Sequence, residues 1–331
     1  MIAIYLQNPI PCFQPTDAQF GRLASLLGGQ PALRLCRGEA EFLAALPAAS
    51  AAVVWSFRQE WFALAPGLRA VFTPAAGRDY FKVSPPPGVT LHYGAFHGAI
   101  MGETALACLL AASHGLLQFS HAMRLPDSAA PSPSCRRGPS DSAPYPRLAA
   151  AATARRLAGA TVLVLGFGAI GRAFARMAAP FGPRVIGVTR LPHPELAAAF
   201  PSATLATIDS LDTLLPAADH VVSFLPSGPA TDDIIDARRL SLMKPSAFLY
   251  NFGRGNAIDE AALDAALRAG RLAGAVLDVF KEEPLPPASP LRTAPNCWLY
   301  PHSSAFSPDY LDLYFASVAP ALAAFARHDH V

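Results

Sequence analysis

The sequence predicts an α/β protein with two domains, each a parallel sheet flanked by helices. Its 331 residues suit two domains of ordinary size, and 52% of them are hydrophobic, which is enough for well-buried cores. Short apolar runs alternate with helix-like stretches in the first hundred residues, and the same alternation resumes at Ala160. A glycine-rich turn directly follows the first apolar run of that second part.

The first hundred residues contain three predicted strands and two predicted helices. The strands are IAIYL, AAVVWSF and LRAVFT, and the helices are AQFGRLASLL and EAEFLAAL. Residues 102–123 are largely apolar and almost free of helix breakers, so they predict one long, mostly buried helix. Residues 125–147 are dominated by Pro and Ser and predict a surface loop or linker.

The second part predicts a series of strands that are apolar throughout their length. They are TVLVLG, RVIGVTR, HVVSFL, AFLYNF, AGAVLDVF and NCWLYP. Continuous apolar runs are typical of parallel strands covered on both faces by helices. The chain then continues into an apolar helix that contains Pro320, where a kink or a restart is predicted.

Composition argues against several classes of partner. The net charge is +2 and the charged residues are dispersed, which favours a small-molecule partner over nucleic acid or a membrane surface. The five cysteines form no CxxC pair and no metal-ligand spacing, so we expect reduced thiols, no metal and a cytoplasmic protein. The first residues predict a strand rather than a signal peptide, and the apolar stretches are too short for a transmembrane segment.

The turn GFGAIG, residues 166–171, follows a predicted strand and precedes a predicted helix. In this context Gly166 permits the tight turn, Gly168 admits a pyrophosphate, and Gly171 lets the helix pack on the strand. Ala169 and Ile170 complete the predicted cofactor-binding segment at the start of that helix. The alternative is a glycine turn that binds no ligand.

Thr189 and Arg190 end the next strand, where an acidic residue would select NAD by binding the ribose 2′-hydroxyl. An arginine there pairs instead with a 2′-phosphate, so the sequence predicts NADPH in preference to NADH. The alternative is that Arg190 stacks on adenine or faces solvent.

Polar clusters follow three later strands, at residues 251–260, 277–286 and 300–306. The carboxyl ends of parallel strands line the ligand crevice of an open α/β sheet, so these clusters could meet at one site. Reduction of a 2-oxo acid needs a cation for the carboxylate and a proton donor for the carbonyl. Arg254 and His302 supply those two groups, and a carboxylate beside the histidine would stabilise its charged form.

The ordered motifs GFGAIG, RG at 254–255, DVF…EPLP at 278–286 and PH at 301–302 resemble the D-isomer-specific 2-hydroxyacid dehydrogenase family, in particular its glyoxylate and hydroxypyruvate reductases. The resemblance implies a Rossmann cofactor domain, residues 101–300, inserted into a flavodoxin-like substrate domain formed by residues 1–100 and 301–331. It also implies hydride transfer between NAD(P)H and a small 2-oxo acid, giving a D-2-hydroxy acid, in a homodimer.

The resemblance assigns roles to individual residues. Arg254 would bind the substrate carboxylate, His302 would be the acid and base, and Glu283 rather than Glu282 would be the partner of the histidine. Ala76 and Gly77 in AAGRD would supply backbone donors to the substrate. The remaining cofactor contacts implied by the resemblance are Leu225, Pro226 and Thr231 in LPSGPAT, Phe252, Gly253 and Asp278 beside the nicotinamide, and Ser304.

Two other functions are alternatives for this sequence. A dinucleotide-sensing regulatory protein could use the same fold, although the retained Arg254, Glu283 and His302 argue against it. A short-chain dehydrogenase would need a tyrosine and a lysine four residues apart, and the sequence contains no such pair.

Overall fold

A computed structural model describes residues 1–28, 32–117 and 155–327 of the chain, so the predicted loop at 125–147 lies outside the described residues. The chain divides into two compact units. Unit 1 comprises Met1–Ile100 and Ala305–Val331, and unit 2 comprises Met101–Ser304.

The described residues form twelve strands and nine α-helices. The strands are β1 Ile2–Tyr5, β2 Leu33–Leu35, β3 Ala51–Val54, β4 Ala70–Thr73, β5 Thr90–Tyr93, β6 Thr161–Leu165, β7 Arg184–Thr189, β8 Ala203–Thr207, β9 His220–Ser223, β10 Phe248–Asn251, β11 Gly274–Leu277 and β12 Cys297–Leu299. The helices are α1 Asp17–Leu26, α2 Glu39–Ala45, α3 Gly98–Ser113, α4 Ala169–Ala178, α5 Pro194–Ala199, α6 Leu211–Leu214, α7 Ala237–Leu242, α8 Glu260–Arg268 and α9 Tyr310–Arg327.

The sheet of unit 1 is parallel, with the strand order β2-β1-β3-β4-β5. Alternate residues of its central strands enter two separate cores. Ile4 and Val53 pack in a core with residues of α1 and α9, whereas Ala3 and Val54 pack in a core with residues of α2. The strand order is the flavodoxin order, and both faces of the sheet are covered.

The sheet of unit 2 is also parallel, with the order β12-β11-β10-β9-β6-β7-β8. Leu163 and Leu249 point into one core, and their neighbours Val164 and Tyr250 point into the other. Counted from β6, this is the doubly wound order of dinucleotide-binding sheets with one further strand at the edge. The predicted fold class, two parallel-sheet α/β domains, is confirmed.

The structure revises the bounds of one predicted helix and excludes one of two alternatives for another. The helix expected at 102–123 begins earlier, at Gly98, and ends at Ser113, because Gly115 adopts a left-handed φ of 70° that terminates the helix; residues 118–123 lie outside the described part of the chain. Of the kink or restart predicted at Pro320, the restart does not occur, because α9 continues through the proline. Val318 and Leu322, on either side of this proline, pack in the same core and hold the helix together.

Strands β2, β5 and β8 were not predicted from the sequence. Each lies at the edge of its sheet, and its residues are mostly half-buried or exposed. These three edge strands therefore lack the continuous apolar run that marks a central parallel strand. Among the described residues, no helix is both long and apolar enough to cross a bilayer.

Candidate active site and dinucleotide-binding cleft

The glycine turn between β6 and α4 is shaped by close packing. Gly166 has a left-handed φ of 87°, and a Cβ there would lie 3.0 Å from the carbonyl carbon of Phe224. A Cβ on Gly171 would lie 2.5 Å from the Gly166 carbonyl oxygen. Gly168 differs, because a Cβ there would meet no atom within 4 Å, and no side chain caps the helix that starts at Ala169. The first N–H groups of α4 therefore face an open space that suits a phosphate.

A cleft of about 840 Å³ extends from this turn across the end of β7 and the loop after β9. Its polar lining includes Arg172, Arg190, His193 and Glu195. The volume and the largely apolar lining suit a ligand of dinucleotide size, with a small number of charged groups to orient it. The cleft and the open position at Gly168 together fit the predicted cofactor.

Thr189 and Arg190 have different environments at the end of β7. The Thr189 hydroxyl donates a hydrogen bond to the carbonyl oxygen of Leu191 at 2.7 Å, so this side chain shapes the loop. Arg190 lines the cleft with an exposed side chain. Between these two predicted residues, Arg190 is therefore the one positioned to reach a phosphate.

The loop at residues 225–231 closes on itself. The Thr231 hydroxyl lies 2.8 Å from the carbonyl oxygens of both Pro226 and Gly228 and holds the loop in a compact form. Leu225, Pro226 and Thr231 all line the cleft. The loop thereby forms one wall of the space predicted for the adenine and ribose.

Arg254 lies in a turn that two glycines and one buried amide define. A Cβ on Gly253 would lie 2.4 Å from the Leu225 carbonyl oxygen, and one on Gly255 would lie 1.9 Å from the Phe280 carbonyl carbon. The buried Asn251 side chain accepts a hydrogen bond from the Gly253 N–H at 3.1 Å and donates one to the Arg254 carbonyl oxygen at 3.0 Å. The backbone of Arg254 is therefore held on both sides.

His302, which follows β12, is hydrogen-bonded to Glu283, which follows β11. His302 Nδ1 lies 2.7 Å from Glu283 Oε2, while Glu283 Oε1 accepts a hydrogen bond from the Phe280 N–H at 3.0 Å. The histidine side chain is 51% exposed, so one edge of the ring is held and the rest is open to a ligand. This arrangement suits a histidine that exchanges a proton while a carboxylate fixes its orientation.

Asp278 anchors the segment that contains His302. Its carboxylate is fully buried and accepts hydrogen bonds from the N–H groups of Ser303 at 2.7 Å and Ser304 at 3.0 Å. Its carbonyl oxygen accepts a hydrogen bond from the His302 N–H at 2.8 Å. His302 has a left-handed φ of 53°, which side chains other than glycine adopt at a cost, and these three bonds offset that cost. Sequence reasoning missed this role of Asp278, because only the folded chain brings residues 278 and 302–304 together.

Other predicted residues lie in different surroundings. Phe252 is only 1% exposed and stacks on Phe224, with 6.1 Å between the ring centroids, so only its backbone remains for a cofactor. Ser304 is also buried, and its carbonyl oxygen accepts a hydrogen bond from the Thr104 hydroxyl at 2.9 Å. Ala76 and Gly77 follow β4 in unit 1, whereas Arg254, Glu283 and His302 belong to unit 2.

Residues 144–304 match the sequence profile of the D-isomer specific 2-hydroxyacid dehydrogenase, NAD binding domain. Over this segment the chain is similar to that dehydrogenase family. The resemblance that the ordered motifs indicated is thereby confirmed over the part of the chain that contains the glycine turn, Arg254, Glu283 and His302.

Curated relatives are similar over part of their length. A glyoxylate reductase of Thermococcus onnurineus is 44% identical over 126 residues, which is 38% of this chain and 36% of the relative. A glyoxylate/hydroxypyruvate reductase B of Citrobacter koseri is 42% identical over 143 residues, which is 43% of each protein. The match therefore spans less than half of these relatives.

The fold is similar to solved structures over almost the whole chain. The D-isomer specific 2-hydroxyacid dehydrogenase of Xanthobacter autotrophicus, solved with NADPH and MES, superposes with a TM-score of 0.72 at 26% sequence identity. The superposition covers 99% of this chain and 94% of that protein.

Unit 2 has a second cavity, of about 530 Å³, bordered by Glu283 and His302. Its other walls are mainly apolar and include Phe280, Leu299 and Tyr300. Burial raises the pKa of Tyr300 to about 12, so this phenol stays protonated beside the pair. The described residues contain no group of three or more His, Cys, Asp or Glu side chains arranged to hold a metal ion.

Proposed function

We propose that the protein is an NAD(P)H-dependent reductase that converts a small 2-oxo acid, of the glyoxylate or hydroxypyruvate type, into a D-2-hydroxy acid. The 2.7 Å pair between His302 and Glu283 carries this proposal, because it lies in the same unit as a dinucleotide cleft. The similarity of the chain to glyoxylate reductases and glyoxylate/hydroxypyruvate reductases supports the substrate class.

Each reacting group has a candidate in the chain. The reduced nicotinamide, when bound, supplies the hydride that adds to the carbonyl carbon. His302 donates a proton to the carbonyl oxygen, and Glu283 stabilises the charged ring before that transfer. Arg254 holds the substrate carboxylate through paired N–H donors, which orients the carbonyl. The backbone of Ala76 and Gly77 is proposed to supply further donors to the same carboxylate.

Steady-state assays test the proposal. Wild-type protein should oxidise NADPH in the presence of glyoxylate or hydroxypyruvate, and His302→Ala should lower kcat by about 100 to 10,000-fold while the Kd for NADPH is retained. Glu283→Gln should also lower kcat strongly, whereas the neighbouring Glu282→Gln serves as the matched control and should behave like the wild type. Tight cofactor binding without turnover of any 2-oxo acid would instead favour a dinucleotide-sensing regulator.

The preference for NADPH is part of the proposal and rests on Arg190 in the cleft wall. Arg190→Ala should lower kcat/KM for NADPH by about 10 to 100-fold, since a charge-assisted contact to a 2′-phosphate contributes about 1.5 to 3 kcal/mol, and should affect NADH little. Arg271→Ala, an exposed arginine outside the cleft, controls for the loss of positive charge. A wild-type protein that uses NADH better than NADPH would contradict this preference.

A cytoplasmic homodimer is also proposed, with unit 1 as the substrate domain and unit 2 as the cofactor domain. The resemblance to the dehydrogenase family supports these assignments. Sedimentation as a monomer at micromolar concentration would contradict the dimer.

A further inference from the structure

Three segments of unit 2 follow neighbouring strands of its sheet. The cleft segment, residues 225–235, follows β9 and lines much of the dinucleotide cleft. The arginine turn, residues 252–258, follows β10, and the glutamate turn, residues 278–283, follows β11. Because β9, β10 and β11 are parallel neighbours, the three segments leave the sheet at one edge. Contacts among them therefore connect the cleft with the residues that hold His302.

The cleft segment is joined to the arginine turn through the backbone. The Asp233 N–H donates a hydrogen bond to the Asn256 carbonyl oxygen at 2.7 Å. The Ile235 N–H donates to the Ala257 carbonyl oxygen at 3.0 Å, and Ile235 is fully buried. The end of the cleft segment is therefore fixed to the arginine turn.

The glutamate turn packs on the arginine turn. A Cβ on Gly255 would lie 2.4 Å from the Lys281 nitrogen, so the two backbones are in direct contact. The Lys281 N–H donates to Glu260 Oε1, at the start of α8, at 2.7 Å. The neighbouring Phe280 N–H donates to Glu283 at 3.0 Å, so the position of this backbone sets the position of that carboxylate.

Lys281 also connects the glutamate turn directly to the cleft segment. Its Nζ lies 2.5 Å from Asp233 Oδ1, and the two side chains are 40% and 48% exposed. Asp233 has a left-handed φ of 47°, which aspartate tolerates better than most residues. The next residue, Ile234, is buried and lines the dinucleotide cleft. The ion pair therefore links a residue beside the cleft to the turn that carries Glu283.

The exposure of this ion pair limits its effect on the fold. Exposed pairs contribute little to stability, since solvent screens the charges and the long side chains lose entropy when they are held. Such a pair still restricts the relative positions of the two segments that it joins. The consequence of the Lys281–Asp233 pair is therefore expected in the placement of the glutamate turn rather than in the free energy of unfolding.

We propose that Lys281 and Asp233 are positioning residues, which couple occupation of the dinucleotide cleft to the placement of the Glu283 carboxylate and thereby of His302. A ligand that contacts the cleft segment restricts Asp233, and the ion pair passes that restriction to the glutamate turn. This inference rests on the proposed reductase function, in which Glu283 orients the histidine that donates the proton.

Amide hydrogen exchange of the full-length protein, with and without NADPH, measures the coupling. NADPH should slow exchange in the cleft segment of the wild type, and should also slow it in the glutamate turn by about 2 to 5-fold, the range that corresponds to exposed ion pairs. Lys281→Met removes the charge and keeps an unbranched side chain. In this variant the cleft segment should still be protected, whereas the protection of the glutamate turn should be lost. Lys281→Arg retains a cation and should restore it.

Lys244→Met is the matched control. Lys244 pairs with Asp219 at 2.7 Å in the same unit, and these side chains are 34% and 24% exposed. Neither residue belongs to the three segments. Lys244→Met should therefore retain the protection of both segments by NADPH, which separates the loss of the Lys281 pair from the loss of any paired lysine.

Steady-state kinetics gives a second readout. Lys281→Met should lower kcat with glyoxylate by about 2 to 5-fold, while KM for glyoxylate stays unchanged because the arginine turn is intact. The Kd for NADPH should rise by up to the same factor, since coupling between two sites is reciprocal. Asp233→Asn, which suits the same left-handed backbone, should have the same effects. The double variant should lose no more than either single variant.

The possible results separate the two proposals. Equal protection of the glutamate turn in the wild type and in folded Lys281→Met, additive losses of kcat in the double variant, or a similar loss in Lys244→Met overturns the coupling and leaves the reductase function intact. Absence of turnover with every 2-oxo acid overturns the reductase function, whereas hydrogen exchange still decides whether the cleft and the glutamate turn are coupled. If Lys281→Met loses its circular dichroism spectrum, Asp233→Asn replaces it in each comparison.

Discussion

The turn that carries Arg254 and the turn that carries His302 are positioned in opposite ways. Arg254 is flanked by Gly253 and Gly255, whose missing side chains let the backbone pack directly on Leu225 and Phe280. His302 adopts a left-handed φ of 53° without being glycine, and a buried carboxylate at Asp278 holds the following residues in place. Close packing defines the first turn, with hydrogen bonds to Asn251 in addition, whereas hydrogen bonds to Asp278 define the second.

The difference teaches which kind of change each turn tolerates. A turn defined by close packing fails when any atom is added, because the neighbouring backbone cannot move aside. A turn defined by hydrogen bonds keeps its space but fails when an acceptor is removed, because buried N–H groups are then left unpaired. The two turns should therefore respond to different substitutions.

Adding one methyl group at the Arg254 turn should have the largest effect. In Gly255→Ala, the new Cβ would lie 1.9 Å from the Phe280 carbonyl carbon, so we expect the free energy of unfolding to fall by more than about 3 kcal/mol. Urea unfolding followed by circular dichroism measures this change. Gly21→Ala in α1, where a Cβ meets no atom within 4 Å, is the control and should be neutral or slightly stabilising. Equal stability of the two variants would contradict the packing argument.

Removing the acceptor at the His302 turn should affect catalysis more than cofactor binding. Asp278→Asn retains the shape but places an amide N–H₂ opposite a backbone N–H, which should displace His302 and lower kcat about 100-fold. The measurement is kcat together with the Kd for NADPH, and the pH profile of kcat should change as well.

The Kd decides between the two roles that Asp278 could have. A positioning role predicts a Kd for NADPH close to that of the wild type. A Kd raised in proportion to the loss of kcat would show that Asp278 acts mainly by contacting the nicotinamide, as the family resemblance implies.

A third buried polar group, His220, makes the stability of the folded protein depend on pH. His220 lies in the core of unit 2, with Nδ1 3.0 Å from the Tyr250 hydroxyl and Nε2 3.3 Å from the Ser113 hydroxyl. Burial lowers its pKa to about 4, with Lys244 acting in the same direction and Asp219 opposing. The group is therefore neutral in the folded protein at a pH where it is already charged in the unfolded chain.

The sign of the pH effect follows from that difference. As pH falls below about 6.5, the unfolded chain binds a proton that folded His220 rejects, so stability is lost until the pH reaches the folded pKa. We expect His220 to account for a loss of about 2 kcal/mol in the free energy of unfolding between pH 7 and pH 5. Urea unfolding at both pH values should show that loss, and His220→Gln should reduce it. A His220→Gln variant with the same pH dependence as the wild type would exclude His220 as the cause.

Much of the site was predictable because its chemistry depends on residue types in order along the chain. The glycine turn, Arg254 and His302 each follow an apolar strand, and parallel strands bring such positions to one edge of a sheet. The partner of His302 could not be chosen by chemistry, since Glu282 and Glu283 are adjacent and alike. Only the family resemblance favoured Glu283, and in the folded chain it is the Glu283 carboxylate that lies 2.7 Å from the ring.

Sequence alone determined the fold class, the alternation of strands and helices, and the residues with the chemistry for hydride and proton transfer, because these depend on local apolar patterns and on residue type. Tertiary structure decided the unpredicted edge strands β2, β5 and β8, the early end of α3 and the hydrogen bonds by which Asp278 holds the His302 segment. Each of these depends on contacts between residues far apart in the chain, or on which strand is left at an edge. No local pattern encodes such contacts, so they become visible only when the chain is folded.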